Sequence, residues 1–278
     1  MNPSAGAGMT HPFDLTTTPS PAGPGVYQLD LLPGWGQGRA LFGGVLAAAA
    51  ARGMTETVGD PARRLRSLTV HFCEPAAPGE AALHVETPRA GRYVSHLTAR
   101  VLQAGRVTTF ASATFGLDRD APMAHLDAPD HGFGGPQDAL EVPMGGLGFP
   151  EFTQHIQYRF AGQSVPYGGG EVAEVNLWMR LAEPRALDLP ALVAFLDAGP
   201  PALLSKATGP IPMSSMDLRV QLNGALPEAE LGVGRYVLLT SRCRWAGSGY
   251  ADQDSALWSE GGTLLARCQQ ALAFFQRG

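Results

Sequence analysis

From Leu41 the chain runs Leu-Phe-Gly-Gly-Val-Leu and then five alanines, Ala47 to Ala51. Alanine is the strongest helix former, so this run predicts a helix over about 43–58, with side chains small enough for other backbone to pack closely around it. The pattern then changes to short apolar and β-branched runs at about 65–73, 81–87, 94–102 and 106–115. Turn signals separate them: Pro75 to Gly79, Ala90-Gly91 and Ala104-Gly105. The second half repeats the order. A strand is expected over 174–181 and an apolar helix begins at Leu189, ending or kinking near Gly199-Pro200-Pro201. Further strands are expected over 215–222, 235–245, 251–258 and 263–274.

The two halves align at their ends. Ala90-Gly91 through Phe115 matches Ala246-Gly247 through Phe274 with three extra residues in the second copy, which sets Phe110 opposite Gln269. A repeated Gly-Arg-Tyr-Val, at Gly91 and Gly234, falls on different strands and does not mark the register. Between the halves, residues 119–149 are rich in Pro, Gly, Asp and Ala and read as a linker. The expected organisation is a weakly ordered segment over 1–20, a first domain over 21–118, the linker, and a second domain over 150–278.

Each half is thus strand, helix, then four strands in hairpin succession, which makes an antiparallel sheet. A sheet wrapped around one Ala-rich helix is the hotdog arrangement, so the expected class is α+β, a tandem (double) hotdog. A β-sandwich is the runner-up. An α/β hydrolase needs a helix between most strands and a Gly-x-Ser-x-Gly elbow, and the sequence has no such elbow.

Composition narrows the function. At 45% hydrophobic and 16% charged residues, the chain has the balance of a packed protein. A net charge of -5 argues against a nucleic-acid partner, whose backbone demands a basic surface. No apolar run is long enough to span a bilayer, and the first residues lack a signal-peptide pattern. Three cysteines, Cys73, Cys243 and Cys268, without metal-type spacing, read as reduced thiols and point to the cytoplasm.

Several segments carry a resemblance. Phe42-Gly43-Gly44 ahead of the Ala-rich helix, Arg66-Ser67-Leu68-Thr69-Val70-His71-Phe72 with Pro75 after it, and Gly91-Arg92-Tyr93-Val94-Ser95 are similar to the first hotdog of the type II acyl-CoA thioesterases. Gly262-Thr263-Leu264-Leu265-Ala266-Arg267-Cys268-Gln269-Gln270 is similar to that family's last strand. The likeness covers nearly all of the chain after about residue 25. It implies an acyl-CoA substrate hydrolysed by an activated water, with no cofactor and no metal. It also implies that an Asp, a Thr or Ser, and a Gln of the second half hold that water; the matching positions are Asp197, Ser215 and Gln269. Two departures stand out: Asp217-Leu218-Arg219-Val220 replaces an Asp-His-Ser-aromatic stretch, and Arg66 replaces a His.

The residues suit such chemistry. Asp197 follows Leu192-Val193-Ala194-Phe195-Leu196, apolar company that raises a carboxylate's pKa unless hydrogen bonds oppose it. Ser215 and Gln269 are the expected partners. Backbone N–H groups at Gly43-Gly44 are the expected oxyanion donors and substrate contact, since a helix start favours negative charge and glycine permits close approach. Read singly, Asp197 is equally a helix-end cap, Gln269 a surface glutamine, Ser215 a turn serine and Gly43-Gly44 a packing device. The repeat favours chemistry in one half, because the first helix and last first-half strand carry no polar counterpart of Asp197 and Gln269. His125, Asp127, Asp130 and His131 read as a solvated linker cluster ahead of a metal site, and His71 as a hydrogen-bonded strand histidine ahead of a base. A hotdog hydratase or dehydratase, or a catalytically silent acyl-binding scaffold, are the competing functions. Fused hotdogs leave a monomer or a homo-oligomer of double-hotdog units both open.

Overall fold

The computed structural model describes residues 11–126, 130–143 and 148–275. The first half contains α1 (Pro12–Thr17), β1 (Ser20–Gly23), β2 (Val26–Leu31), β3 (Gly36–Gln37), β4 (Ala40–Leu41), α2 (Gly43–Val58), β5 (Arg64–Phe72), β6 (Gly79–Ala90), β7 (Val94–Gln103) and β8 (Arg106–Gly116). The second contains β9 (Leu140–Val142), β10 (Ile156–Phe160), β11 (Glu174–Leu181), α3 (Leu189–Phe195), β12 (Met213–Ser215), β13 (Asp217–Leu222), β14 (Val237–Arg242), β15 (Ala246–Gly247), β16 (Tyr250–Ser259) and β17 (Leu264–Phe274).

Local chemistry sets the helix limits. α2 ends at Gly59, whose left-handed φ of 62° closes the last turn with an N–H bond to the Thr55 carbonyl. α3 starts at Asp188, whose carboxylate accepts the Ala191 N–H at 3.1 Å, with Pro190 in the first turn. It stops after Phe195; a short turn through Asp197 and Ala198 leads to Pro200 and Pro201, which lack the N–H groups to extend it.

All strands except the β3–β4 pair join one antiparallel sheet, in the order β1-β2-β6-β7-β8-β5-β13-β17-β16-β14-β11-β10-β9, with β12 added on β17 and β15 on β16. The halves meet at the β5–β13 pair, where Thr69 opposes Arg219. Outward from that seam, β8, β7 and β6 on one side correspond to β17, β16 and β14 on the other. The expected double hotdog is therefore the observed fold, with its two sheets fused edge to edge. α2 packs on β5 to β8 and against α3. The approach is close: a Cβ on Gly44 would lie 2.8 Å from the Ala194 carbonyl, and one on Gly53 2.3 Å from Leu83. One continuous core holds Val45 to Met54 from α2 together with Ala191 to Leu196 from α3.

Each half carries a bulge at the same place. The β5–β8 register shifts between Leu65 and Ser67, and the β17 partner strand breaks at Met216, between Ser215↔Leu272 and Arg219↔Gln269. Aligning these bulges gives the structural match between the halves: Leu65 with Ser215, Ala113 with Gln270, Leu97 with Gln253, Ala99 with Ser255 and Val85 with Ser241. Gln269 then matches Ser112, correcting the sequence alignment that set it opposite Phe110.

The segment expected to be weakly ordered begins outside the described residues, over 1–10, but 11–20 are built into the fold. Phe13 of α1 is buried, and Asp14 meets Arg52 of α2 at 2.6 Å and Arg185 at 2.8 Å. Burial works against the ionised Asp14 carboxylate, but the hydrogen bonds and charges of Arg185, and the charge of Arg52, more than offset it and hold its pKa below the usual value. The linker also contributes structure, since β9 pairs with β10; just after it Phe152, in a 3₁₀ turn over Glu151–His155, stacks on Phe42 at 3.9 Å between ring centres. No helix among the described residues is long and apolar enough to cross a membrane.

Candidate active site

Asp197 sits in the turn that ends α3, buried, with one carboxylate oxygen bound from two sides. The Ser215 hydroxyl donates to Asp197 Oδ1 at 3.1 Å, and Gln270 Nε2 donates to the same oxygen at 2.8 Å. Gln270 also reaches Ser215 Oγ at 3.4 Å. The start of α2 approaches from the first half: its Gly44 N–H is directed at the carboxylate, and a Cβ on Gly43 would fall 2.8 Å from Oδ2. No side chain caps this helix start, which leaves its N–H groups and the positive end of its dipole toward Asp197.

Two strand features bring these groups together. Leu218 and Val220 face the core, so a regular β12–β13 strand would turn Met216 and Ser214 inward. The extra residue at Met216 shifts the alternation and presents Ser215 instead. Asp217 secures the bulge, taking the Ala271 N–H on one oxygen at 2.9 Å and Arg219 on the other at 2.8 Å. In the stretch that departs from the family's usual pattern, Asp217 thus serves as a strand brace beside Ser215.

On β17 the inward rank is Ala266, Cys268, Gln270 and Leu272, and the outward rank holds Arg267, Gln269 and Ala271. Gln269, expected beside Asp197, points out and donates to Asp254 at 3.0 Å. The residue that meets Asp197 is Gln270. A one-residue error moves a strand side chain to the opposite face. The signal that identifies Gln270 was in the sequence: it occupies every second position with apolar residues, and Gln269 shares its rank with Arg267.

Burial pushes the Asp197 pKa up to about 7, while the Ser215, Gln270 and Gly44 hydrogen bonds pull it down. The carboxylate opens on a cavity of ≈ 280 Å³ between the halves, walled by Gly43, Leu46, Phe72, Cys73, Glu74 and Ser215 among others. Its walls carry no arginine, lysine or histidine among the described residues. The other candidates lie elsewhere. His71 is exposed, its ring 6.1 Å from Phe110. Burial raises the pKa of both Cys243 and Cys268 and holds them as thiols; Cys73 is exposed at the cavity. The described residues show no metal-type cluster, and Asp127 lies outside them.

Comparison with known proteins identifies the family. The acyl-CoA thioesterase N-terminal domain matches residues 31–116, and the acyl-CoA thioesterase C-terminal domain matches residues 127–274. The chain belongs to the acyl-CoA thioesterase family. Its fold is similar to that of a hotdog protein of unknown function from Alicyclobacillus acidocaldarius, at 26% identity and a TM-score of 0.86 over 97% of this chain and 100% of that one. It is also similar in fold to the acyl-CoA thioesterase II TesB2 of Mycobacterium marinum, at 19% identity, TM-score 0.74, and 96% and 99% coverage. The dehydratase domain of RzxB from Pseudomonas fluorescens shares the fold more distantly, at 16% identity, TM-score 0.58, and 96% and 99% coverage. No curated protein sequence matches the chain significantly.

Proposed function

We propose that this thioesterase-family protein hydrolyses acyl-CoA thioesters with Asp197 as general base, in a cavity shared by its two halves. The observation that carries the reading is the buried Asp197 carboxylate, held by Ser215 and Gln270 at a cavity wall, with a pKa of about 7. A base with that pKa is partly ionised at neutral pH yet basic enough to accept a proton from water. Oδ1 is occupied by its two donors, so Oδ2, on the Gly43 side, receives the proton.

Water oxygen bonds to the thioester carbonyl carbon as its proton passes to Asp197. The carbonyl oxygen becomes an oxyanion, and the helix-start N–H of Gly43 is the donor offered to it, since that of Gly44 is directed at Asp197. Collapse breaks the carbon–sulfur bond, and the CoA thiolate recovers the proton from Asp197. Water is the nucleophile and no covalent enzyme intermediate forms. Acyl-CoA is the substrate on this reading, and the protein works in the cytoplasm.

The test is a panel of acyl-CoAs of increasing chain length, followed by loss of thioester absorbance. Release of free acid and CoA in equal amounts supports the proposal. Ligand binding without turnover, or a change confined to enoyl absorbance, refutes it.

A further inference from the structure

Behind Gln270 lies a second buried glutamine, Gln253 of β16, directly opposite it across the β16–β17 pair. A glutamine amide is almost symmetric in shape, so its two ends must be told apart by their partners. Here the partners leave one solution. The Ala202 backbone N–H, 2.7 Å from Gln253, can only donate, so the Gln253 oxygen must face it. Ala202 is the first residue after Pro200 and Pro201 that has an N–H to give. Gln253 must then turn its NH₂ to Gln270, and it does so at 3.0 Å, with Ser255 Oγ at 3.5 Å. Gln270 must therefore offer its oxygen to Gln253 and its NH₂ to Asp197 and Ser215.

We infer that Gln253 is a positioning residue for Asp197: anchored by the Ala202 N–H, it fixes the Gln270 amide so that two donors always face the carboxylate. The inference rests on the hydrolytic reading of Asp197 for its catalytic meaning, though the hydrogen-bond chain stands without it. A Gln270 free to flip spends part of its time with its oxygen against Asp197. That orientation repels the ionised carboxylate and accepts a bond from the protonated acid, so it raises the carboxyl pKa and leaves less of the base ionised at neutral pH. The other ionisable groups near Asp197 are Cys268 on β17, kept neutral by burial, and Cys73 and Glu74 on the cavity wall, with Glu74 paired to Arg106 at 2.7 Å. None supplies a compensating positive charge.

Gln253→Leu tests this, because the first half carries Leu97 at the matching position and buries it fully. Gln253→Met, which keeps the unbranched length, is the second variant. For folded variants we expect turnover at pH 7 to fall about fivefold with KM little changed, and the acidic limb of the rate profile to move up by about one pH unit. In a Gln270→Ala background the same substitution should cost almost nothing further, since its effect passes through Gln270. Carbon-13 titration of the Asp197 carboxyl needs no turnover and should show the same upward shift. An unchanged Asp197 midpoint with additive losses in the double variant would overturn the inference. A shifted midpoint in a protein that hydrolyses no thioester would leave it standing and overturn the hydrolytic reading instead.

Discussion

The two halves of this molecule share a sheet, a helix and even a bulge, yet the same inward positions carry opposite chemistry. Around the first-half helix stand Leu65, Val85, Leu97, Ala99 and Ala113; their second-half matches are Ser215, Ser241, Gln253, Ser255 and Gln270. Burying that many polar groups is costly unless each is paired. The second half pairs them: Ser241 with Ser255 at 2.9 Å, Ser255 with Gln253, Gln253 with Gln270, and Gln270 with Asp197 and Ser215. The first half is apolar at these positions and serves the site from outside, by aiming the start of α2 at Asp197. One copy supplies stability and a helix dipole, and the other supplies a hydrogen-bonded acid.

Substitutions that erase this contrast should have graded effects. Asp197→Asn keeps the shape and removes the base, and turnover should fall roughly a hundredfold or more. The same change should stabilise the fold at alkaline pH. Because the folded Asp197 pKa is raised, its favourable contribution is complete below the unfolded carboxylate's pKa and disappears as pH rises through about 7. Thermal or urea unfolding should then show the variant ahead by about 2–4 kcal/mol at pH 8 and level with the parent near pH 4. An unchanged stability difference across that range would show that Asp197 is ionised throughout. In the parent protein, the rate of hydrolysis should climb with pH across about 7, as the base ionises.

Gln270→Ala copies the first half's Ala113 and should lower kcat by roughly ten- to a hundredfold with a smaller change in KM. Gln269→Ala, one residue away on the outer face, should leave both within about twofold, as for most surface substitutions. If the two variants behaved alike, the facing of β17 described above would be wrong.

At Ser215, the alanine variant should lose several-fold in rate, for the carboxylate keeps its Gln270 bond, while Ser215→Thr should retain most activity because it keeps the hydroxyl. Steady-state kinetics of the pair separates loss of the hydroxyl from a change of size. The smallest effect is expected at Cys73. Cys73→Ser should hydrolyse at close to the parent rate, whereas a bulky alkyl group on Cys73 should block the cavity mouth in the parent and be harmless in the variant. Loss of turnover in Cys73→Ser with an intact fold would make the thiol the nucleophile.

Much of this was legible in the chain itself. The alanine run specified α2 over Gly43–Val58, and apolar alternation specified β11 over Glu174–Leu181, because helix propensity and strand period are local properties of consecutive residues. The apolar setting of Asp197 announced a perturbed acid for the same reason. What the sequence could not decide was facing and seam. Ser215 turns inward only because a bulge at Met216 resets the alternation, and a bulge is defined by the partner strand. Gln270 and not Gln269 meets Asp197 because the β16–β17 and β13–β17 ladders fix which face is concave. The ordering of 11–20 depends on Asp14 finding two arginines distant in sequence, Arg52 of α2 and Arg185 in the loop ahead of α3. The shared cavity exists because β5 and β13 pair and carry the start of α2 to the end of α3. Composition and period are written along one strand at a time, whereas these contacts depend on long-range pairing, and only the folded sheet chooses among the registers the sequence allows.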